Sequence, residues 1–378
     1  MMLLLVKMFI IISSQFKMQL YLTDVTEVYE GRQSNLYLFG RTSDRISTAI
    51  KIMDFKRHFF ISPPIGYSPG TFLSAINLHV DGVVAKVEEV KRLPAVGFSP
   101  EGPKTYWRIH VNGSAKKVVT HLKSIPYGSK IVELFHHDWK ATTQFLHATG
   151  IKLFTTINIA QHSMVSKRAT ICKVERQSHV GYIRPTSTPT SRPHVLVVAL
   201  RANVDCSQIA VQHYFIGDAP YKSQIFTQPR DIFGHLRRIQ PDVIMVLNDN
   251  ITNTIHSVLE VVGVRGGFSK MLQNEDTFEF RDRLFLRSPG VHIIDVVNEA
   301  KKMFLKPKLD VYSLNAMSIH PKLLKNPVHL TNDIKQQVEA LTQLDLDINF
   351  ILGAIEISIA TDLDLRRVLN NGQQAISR

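Results

Sequence analysis

Phosphodiester hydrolysis by two metal ions needs carboxylates that hold the cations about 3.5–4 Å apart and generate hydroxide from water. Two such acids usually stand one residue apart at the end of a β-strand. The chain carries an altered version of that pair. After Pro193, the apolar run at 195–200 has the β-branched and aliphatic composition of a strand. It leads into Asn203-Val204-Asp205-Cys206. The first acid position holds an amide, and the second a carboxylate one methylene shorter than glutamate. Amides are weaker ligands for hard cations and leave their charge uncompensated. The spacing therefore keeps the form of a metal site while losing most of its charge. Asp205 is the one candidate metal ligand. Asn203 reads better as a turn residue bonding within its own loop.

Other groupings could do chemistry and have simpler readings. His136-His137-Asp138 falls in a segment, 132–148, where Leu134, Trp139, Phe145 and Leu146 have helical spacing. Adjacent helical residues point about 100° apart, so the two imidazoles would not share a face. Gly266-Gly267 follows Arg265 but lacks the Gly-Lys-Ser/Thr of a phosphate loop. Residues 278–287 interleave Phe280 and Phe285 with Arg281, Arg283 and Arg287. Stacking rings and phosphate-neutralising arginines suit a single nucleic-acid strand. Strict alternation also suits a hairpin arm, with Phe278, Phe280, Leu284 and Leu286 turned inward.

The elements that must position these groups read from the chain's punctuation. Residues 18–95 alternate short apolar runs with Gly and Pro, as a mostly β region does. A loop follows, with Pro94, Gly97, Pro100 and Gly102. Residues 106–119 read as strands around the turn signal Asn112-Gly113. The stretch 185–193, PTSTPTSRP, marks a domain boundary. Beyond it come strands at 195–200 and 210–215, a helix at 231–239 and a buried strand at 243–247. A helix at 251–262, a strand at 291–297 and a largely helical stretch at 330–360 follow. Strands alternating with helices predict an α/β sheet.

Several segments, in order, resemble those of family B DNA polymerases. Pro241-Asp242-Val243-Ile244-Met245-Val246-Leu247-Asn248 is similar to the PDVIxGYN strand. Leu38-Phe39-Gly40-Arg41-Thr42 with Phe55-Lys56-Arg57-His58-Phe59-Phe60-Ile61 resembles LFGxTxxG and FxPYFYI. Residues 150–159 are similar to GIxxxSWIxI, 291–304 to GRVHIDLLxxxK and 310–318 to KLxSYxLNxVS. Residues 355–369 resemble the helix and loop that close the exonuclease domain, and 371–377 resemble RGQQIKVxS. The resemblance points to the delta type, viral members included, and covers about residues 20–378. The DxxSLYP and YGDTDS motifs that hold polymerase metals are absent from the sequence.

The resemblance implies a mixed α/β chain, α+β overall. A ribonuclease H-like exonuclease domain would be packed on a mostly β amino-terminal domain, without palm, fingers or thumb. The expected layout is a disordered lead or upstream-start artefact at 1–17, an amino-terminal domain at 18–190, an exonuclease-like domain at 191–354, and a closing helix and linker at 355–378. The family's exonuclease acids fall on Asn203, Asp205, Asn253 and Gln337, and its orienting tyrosine on Asp333. Only Asp205 remains an acid at a metal-binding position. Asp249 and Asp345 could stand in only through a register shift that breaks the flanking apolar match. A site so altered predicts no cofactor, with Mg²⁺ needed only if exonuclease activity survives. Phe280, Arg281, Arg283, Phe285, Arg287 and Asn248 are the candidate DNA contacts.

Composition fits this expectation. The chain has 378 residues, 44% of them hydrophobic, and a formal net charge of +13. Such an excess of base favours a polyanionic partner. The partners expected are single-stranded or primer-template DNA and a separately encoded polymerase part. Two cysteines, Cys172 and Cys206, allow neither a disulfide framework nor a cysteine zinc site. They suit a reducing, intracellular compartment, and the resemblance implies the nucleus or a viral replication site. The apolar stretch 3–12, broken by Lys7, is too short to span a bilayer, so no membrane is expected. The reading is a DNA-holding or structural module with a lost proofreading site. The alternatives are a metal-dependent 3′-5′ exonuclease with relocated acids, and an interaction scaffold without DNA affinity.

Overall fold

The computed structural model describes residues 18–30, 33–77, 84–92, 102–111, 115–124, 133–167, 174–186, 193–203, 205, 207–246, 279–280, 286–287, 290–296, 313–320 and 323–370. The fold is mixed α/β. The chain divides into two compact units: Met1–Thr26, Tyr37–Lys51 and Gly150–Arg378 form one, and Glu27–Leu36 with Ile52–Thr149 the other. The stretch 185–193 lies within the first unit.

One sheet has the strand order β11-β8-β1-β2-β3-β10-β9. Its strands are β1 (Met18–Glu30), β2 (Gln33–Thr42), β3 (Ser47–Met53), β8 (Thr156–Ile159), β9 (Ser163–Lys167), β10 (Val174–His179) and β11 (Ile183–Pro185). The sheet that carries the candidate site has the order β14-β13-β12-β15-β18. Here β12 (Leu196–Ala202), β15 (Val243–Val246) and β18 (His292–Asp295) run parallel. The strands β13 (Ile209–Phe215) and β14 (Gln224–Phe226) continue the sheet antiparallel.

The pattern of β12 follows from cover on both faces. Val198, Leu200 and Ala202 pack with Val211, Ile244 and Val246. Ile232 and Leu236 of helix α4 (Pro229–Ile239) join them on that side. The opposite face meets helix α6 (Ile334–Ile348), which packs on β12 and β13. A strand covered twice reads as a continuous apolar run. Pro229 opens α4, where its missing N–H costs nothing. Gln240, left-handed at φ 52°, closes it and donates its N–H to the Leu236 carbonyl at 2.8 Å.

After the short α5 (Leu314–Ser318) come α6, α7 (Phe350–Thr361) and α8 (Leu365–Asn370). Left-handed Asn349 separates α6 from α7. The stretch 330–360 is largely helical, from Ile334 on with a break at Asn349, as its sequence predicts.

In the second unit, β4 (Arg57–Ile61), α1 (Pro69–Asn77), β5 (Val84–Arg92), β6 (Lys104–Val111), α2 (Ala115–Ser124) and β7 (Leu134–Phe135) follow in turn. The sheet order β5-β6-β4-β7 makes this a split βαβ arrangement. Phe59, Ile61, Trp107, Ile109 and Val111 form its core with Phe72 and Ile76 of α1 and Val118 and Leu122 of α2.

Two segments differ from the sequence expectation. Residues 106–119 are not a pair of strands. β6 ends at Val111 and α2 follows, because Ala115, Val118, Val119 and Leu122 form a buried helical stripe. Nor is 132–148 one helix. His136 is left-handed at φ 61°, after β7, and the helix α3 runs Ala141–Thr149. The strands β16 (Glu279–Phe280) and β17 (Leu286–Arg287) pair antiparallel, with Phe280 opposite Leu286 and Glu279 opposite Arg287. Among the described residues, no helix is long and apolar enough to cross a membrane.

Candidate functional site

β12 delivers its carboxyl end into a tight connection to β13. The Asn203 N–H donates to the Gln208 carbonyl at 3.1 Å, and the Gln208 N–H returns a bond to Asn203 Oδ1 at 2.9 Å. Asn203 Nδ2 donates to Ser207 Oγ at 2.9 Å. Asp205 Oδ1 accepts from the Ser207 N–H at 3.2 Å and from its hydroxyl at 2.9 Å. These bonds hold the Asp205 carboxyl below the usual carboxylate range although it is exposed. Asn203 and Asp205 thus satisfy each other's turn through Ser207, as short polar side chains do in loops.

The amino end of α6 supplies the next pair of positions. Asp333 caps the helix, its Oδ1 accepting from the Lys335 N–H at 2.9 Å. Gln337, one turn on, donates from Nε2 to the Thr331 carbonyl at 2.7 Å. Its Oε1 accepts from Arg201 Nε at 2.6 Å. The structure therefore brings Gln337 against Arg201 near the end of β12. The residue it meets there is a cation on β12, two positions before Asn203.

Asp345 does not rescue the site. It lies eight residues beyond Gln337 on α6, about 12 Å along the axis. It is buried, and burial raises its pKa. The Tyr214 hydroxyl donates to Oδ2, and the Ile351 N–H donates to Oδ1 at 2.7 Å. Burial beside Asp345 pushes the Tyr214 hydroxyl up as well, so it remains a donor. This carboxylate ties β13 to the start of α7.

A pair of divalent ions does not fit this arrangement. Among the described residues, two amides, a carboxylate bound in a turn, a carboxylate capping a helix and a guanidinium offer too few anionic oxygens, and Arg201 adds positive charge. Among the described residues, no group of three or more His, Cys, Asp or Glu could hold a metal. Asn253, Asn248, Asp249, Arg281, Arg283, Phe285 and Gly266-Gly267 lie outside the described residues. For Phe280 and Arg287 the structure gives the backbone pairing alone.

Sequence reasoning missed Arg201 and Tyr214. Arg201 had a signal: it is the one charged residue in β12, two positions before Asn203. Tyr214 had none, since any aromatic suits a buried strand.

The fold is similar to that of a family B DNA polymerase. The solved structure is the enzyme from the hyperthermophilic archaeon Pyrobaculum calidifontis, with a TM-score of 0.64 and 14% sequence identity. The likeness covers 93% of this chain and 48% of that one, so the chain spans about half the length of that polymerase. No protein-family model matches the sequence, and no curated protein matches it.

Proposed function

We propose that the chain is a DNA-binding, polymerase-like module of replication whose 3′-5′ exonuclease site has lost two-metal chemistry. It would hold template or single-stranded DNA for a polymerase part, in the nucleus or at a viral replication site. The observation that carries the reading is the bond from Arg201 Nε to Gln337 Oε1, 2.6 Å, at the end of β12. A neutral amide bound by a guanidinium stands where the resemblance expects an acid bound to metal. The polymerase-like fold and the net charge of +13 support a DNA partner.

The test is single-stranded DNA binding by the purified chain across a salt series, with Mn²⁺ and a 3′-labelled strand in the same tubes. Tight, steeply salt-dependent binding with intact label is expected. Metal-dependent loss of label would overturn the loss of chemistry. A cooperatively melting protein that neither binds nor cleaves would overturn the DNA-binding reading and leave a scaffold.

A further inference from the structure

We infer that Tyr221 is a stacking platform for one unpaired base of a DNA strand, at the edge of the sheet on the side that α4 covers. This rests on the DNA-binding reading above and goes beyond it in naming a point of hold and its residues, away from the end of β12.

The place follows from strand register. His213 of β13 lies opposite Val198 of β12, five residues before Asn203. That separates it from the Asn203 turn by roughly 16 Å along the sheet. Alternation puts His213 on the same face as Val211, which packs with Ile232 and Leu236 of α4. Tyr221 stands in the connection from β13 to β14, the edge strand.

Tyr221 is 51% exposed and yet fixed. Its N–H donates to the His213 carbonyl at 2.9 Å, and its own carbonyl accepts from Gln212 Nε2 at 3.0 Å. Its ring lies on the His213 imidazole, with centroids 4.5 Å apart and planes 21° from parallel. His213 in turn meets His235 of α4 at 5.6 Å, and His235 meets Phe226 of β14 at 5.2 Å. A single exposed ring is ordinary. This one is backed by an imidazole that both neighbouring elements brace, so it offers stacking area already ordered before a ligand arrives.

The surroundings select the ligand. Burial, then Arg238, holds His213 below its usual range, and burial, with His213 and Arg238, holds His235 at about 4. At neutral pH the two imidazoles are uncharged, and the stack is π surface throughout. The charges stand at its rim. Lys222 is exposed beside Tyr221, and exposed Arg238 donates to His235 Nδ1 at 3.1 Å. An aromatic face flanked by cations suits a base and its phosphates. A protein strand fits less well, because β14 has only three residues and a very short edge resists strand addition.

The experiment measures binding of a 5′-fluorescein thymidine 12-mer, and of a 12-mer of abasic sites with the same charge, by anisotropy in EDTA. The proteins are wild type, Tyr221→Phe, Tyr221→Leu and Lys222→Gln. Tyr221→Leu should weaken the thymidine strand about tenfold, the size of one stacked base, and bind the abasic strand as wild type does. That equal abasic binding shows the variant to be folded. Tyr221→Phe should keep the affinity. Lys222→Gln should weaken both strands alike and reduce the slope of log K against log salt by about 0.7. Equal binding of the thymidine strand by wild type and Tyr221→Leu, or an equal loss on both strands, overturns the inference while the DNA-binding reading stands. Self-association of wild type that Tyr221→Leu abolishes, with DNA binding unchanged, overturns it in favour of protein at this edge. Absence of wild-type binding to either strand overturns both.

Discussion

Arg41 Nε lies 2.5 Å from Asp242 Oδ2, and the two side chains are 3% and 0% exposed. They stand 201 residues apart in the chain. Asp242 also accepts from the Leu196 N–H at 2.9 Å, while Arg41 donates to the Gln240 carbonyl and to the Arg45 carbonyl at 2.9 Å. One ion pair therefore fixes the starts of β12 and β15 and the end of α4 against β2. Removing one partner strands a buried charge, which costs about 3–5 kcal/mol. Asp242→Asn and Arg41→Met should each lose that much in urea denaturation. The double variant should lose less than the sum.

Gly40 is required for space. Its φ is not in the left-handed region, but a Cβ built there would sit 2.2 Å from the Tyr21 carbonyl oxygen and 2.9 Å from Leu20 Cγ. The obstacle includes backbone, so β1 and β2 would have to separate. Gly40→Ala should cost about 1–3 kcal/mol, as overpacking does. A two-state melt of the variant against wild type reads it.

These two cases show what the chain discloses in one dimension. Leu38-Phe39-Gly40-Arg41-Thr42 and Pro241-Asp242 stand out as segments, and β12, β13, β15 and α4 fall where local pattern places them. Apolar runs and a proline at a helix start are short-range signals. The bond between Arg41 and Asp242 is not short-range, and no periodicity connects them. α2 was hidden for a different reason. Asn112-Gly113 promised a hairpin, while the stripe of Ala115, Val118, Val119 and Leu122 shows only at helical period. In the site, Asn203 and Asp205 stood out by type at a strand end, while Gln337 was singled out only by counting along the resemblance. The bond from Arg201 to Gln337 needed the placement of α6 on β12.

Tyr214 and Asp345 form the buried polar link on the α6 side of the sheet. Tyr214→Phe removes the donor to Oδ2 and leaves the Ile351 N–H bonded to Oδ1 of the carboxyl. An unsatisfied buried acceptor costs about 1–3 kcal/mol. Asp345→Ala should cost more, because it strands both the Tyr214 hydroxyl and the Ile351 N–H. Hydrogen exchange at Ile351 separates the two variants. It should quicken in Asp345→Ala and hold in Tyr214→Phe at matched stability.

Acid should loosen the second unit before pH 4. His58 on β4 lies across from His110 on β6, ring centroids 5.7 Å apart. Its N–H and carbonyl are both bound by the Gln144 side chain, at 3.0 and 2.8 Å. Burial, then Arg108 and His110, lower the His58 pKa from 6.5 to about 4, with a smaller push from His136. On the neighbouring strand, Lys86 and His110 hold the Glu88 carboxyl at about 2, so Glu88 stays charged and bonded to His110 throughout. The unfolded chain takes up a proton near pH 6.5 that folded His58 refuses until about 4. Stability is therefore full above pH 6.5 and falls as pH drops through that window. Between pH 7.5 and 5, Tm of this unit should drop by on the order of 5 °C, discounted for partial exposure. His58→Gln should flatten that dependence. A Tm in wild type that is constant across the window would refute the assignment.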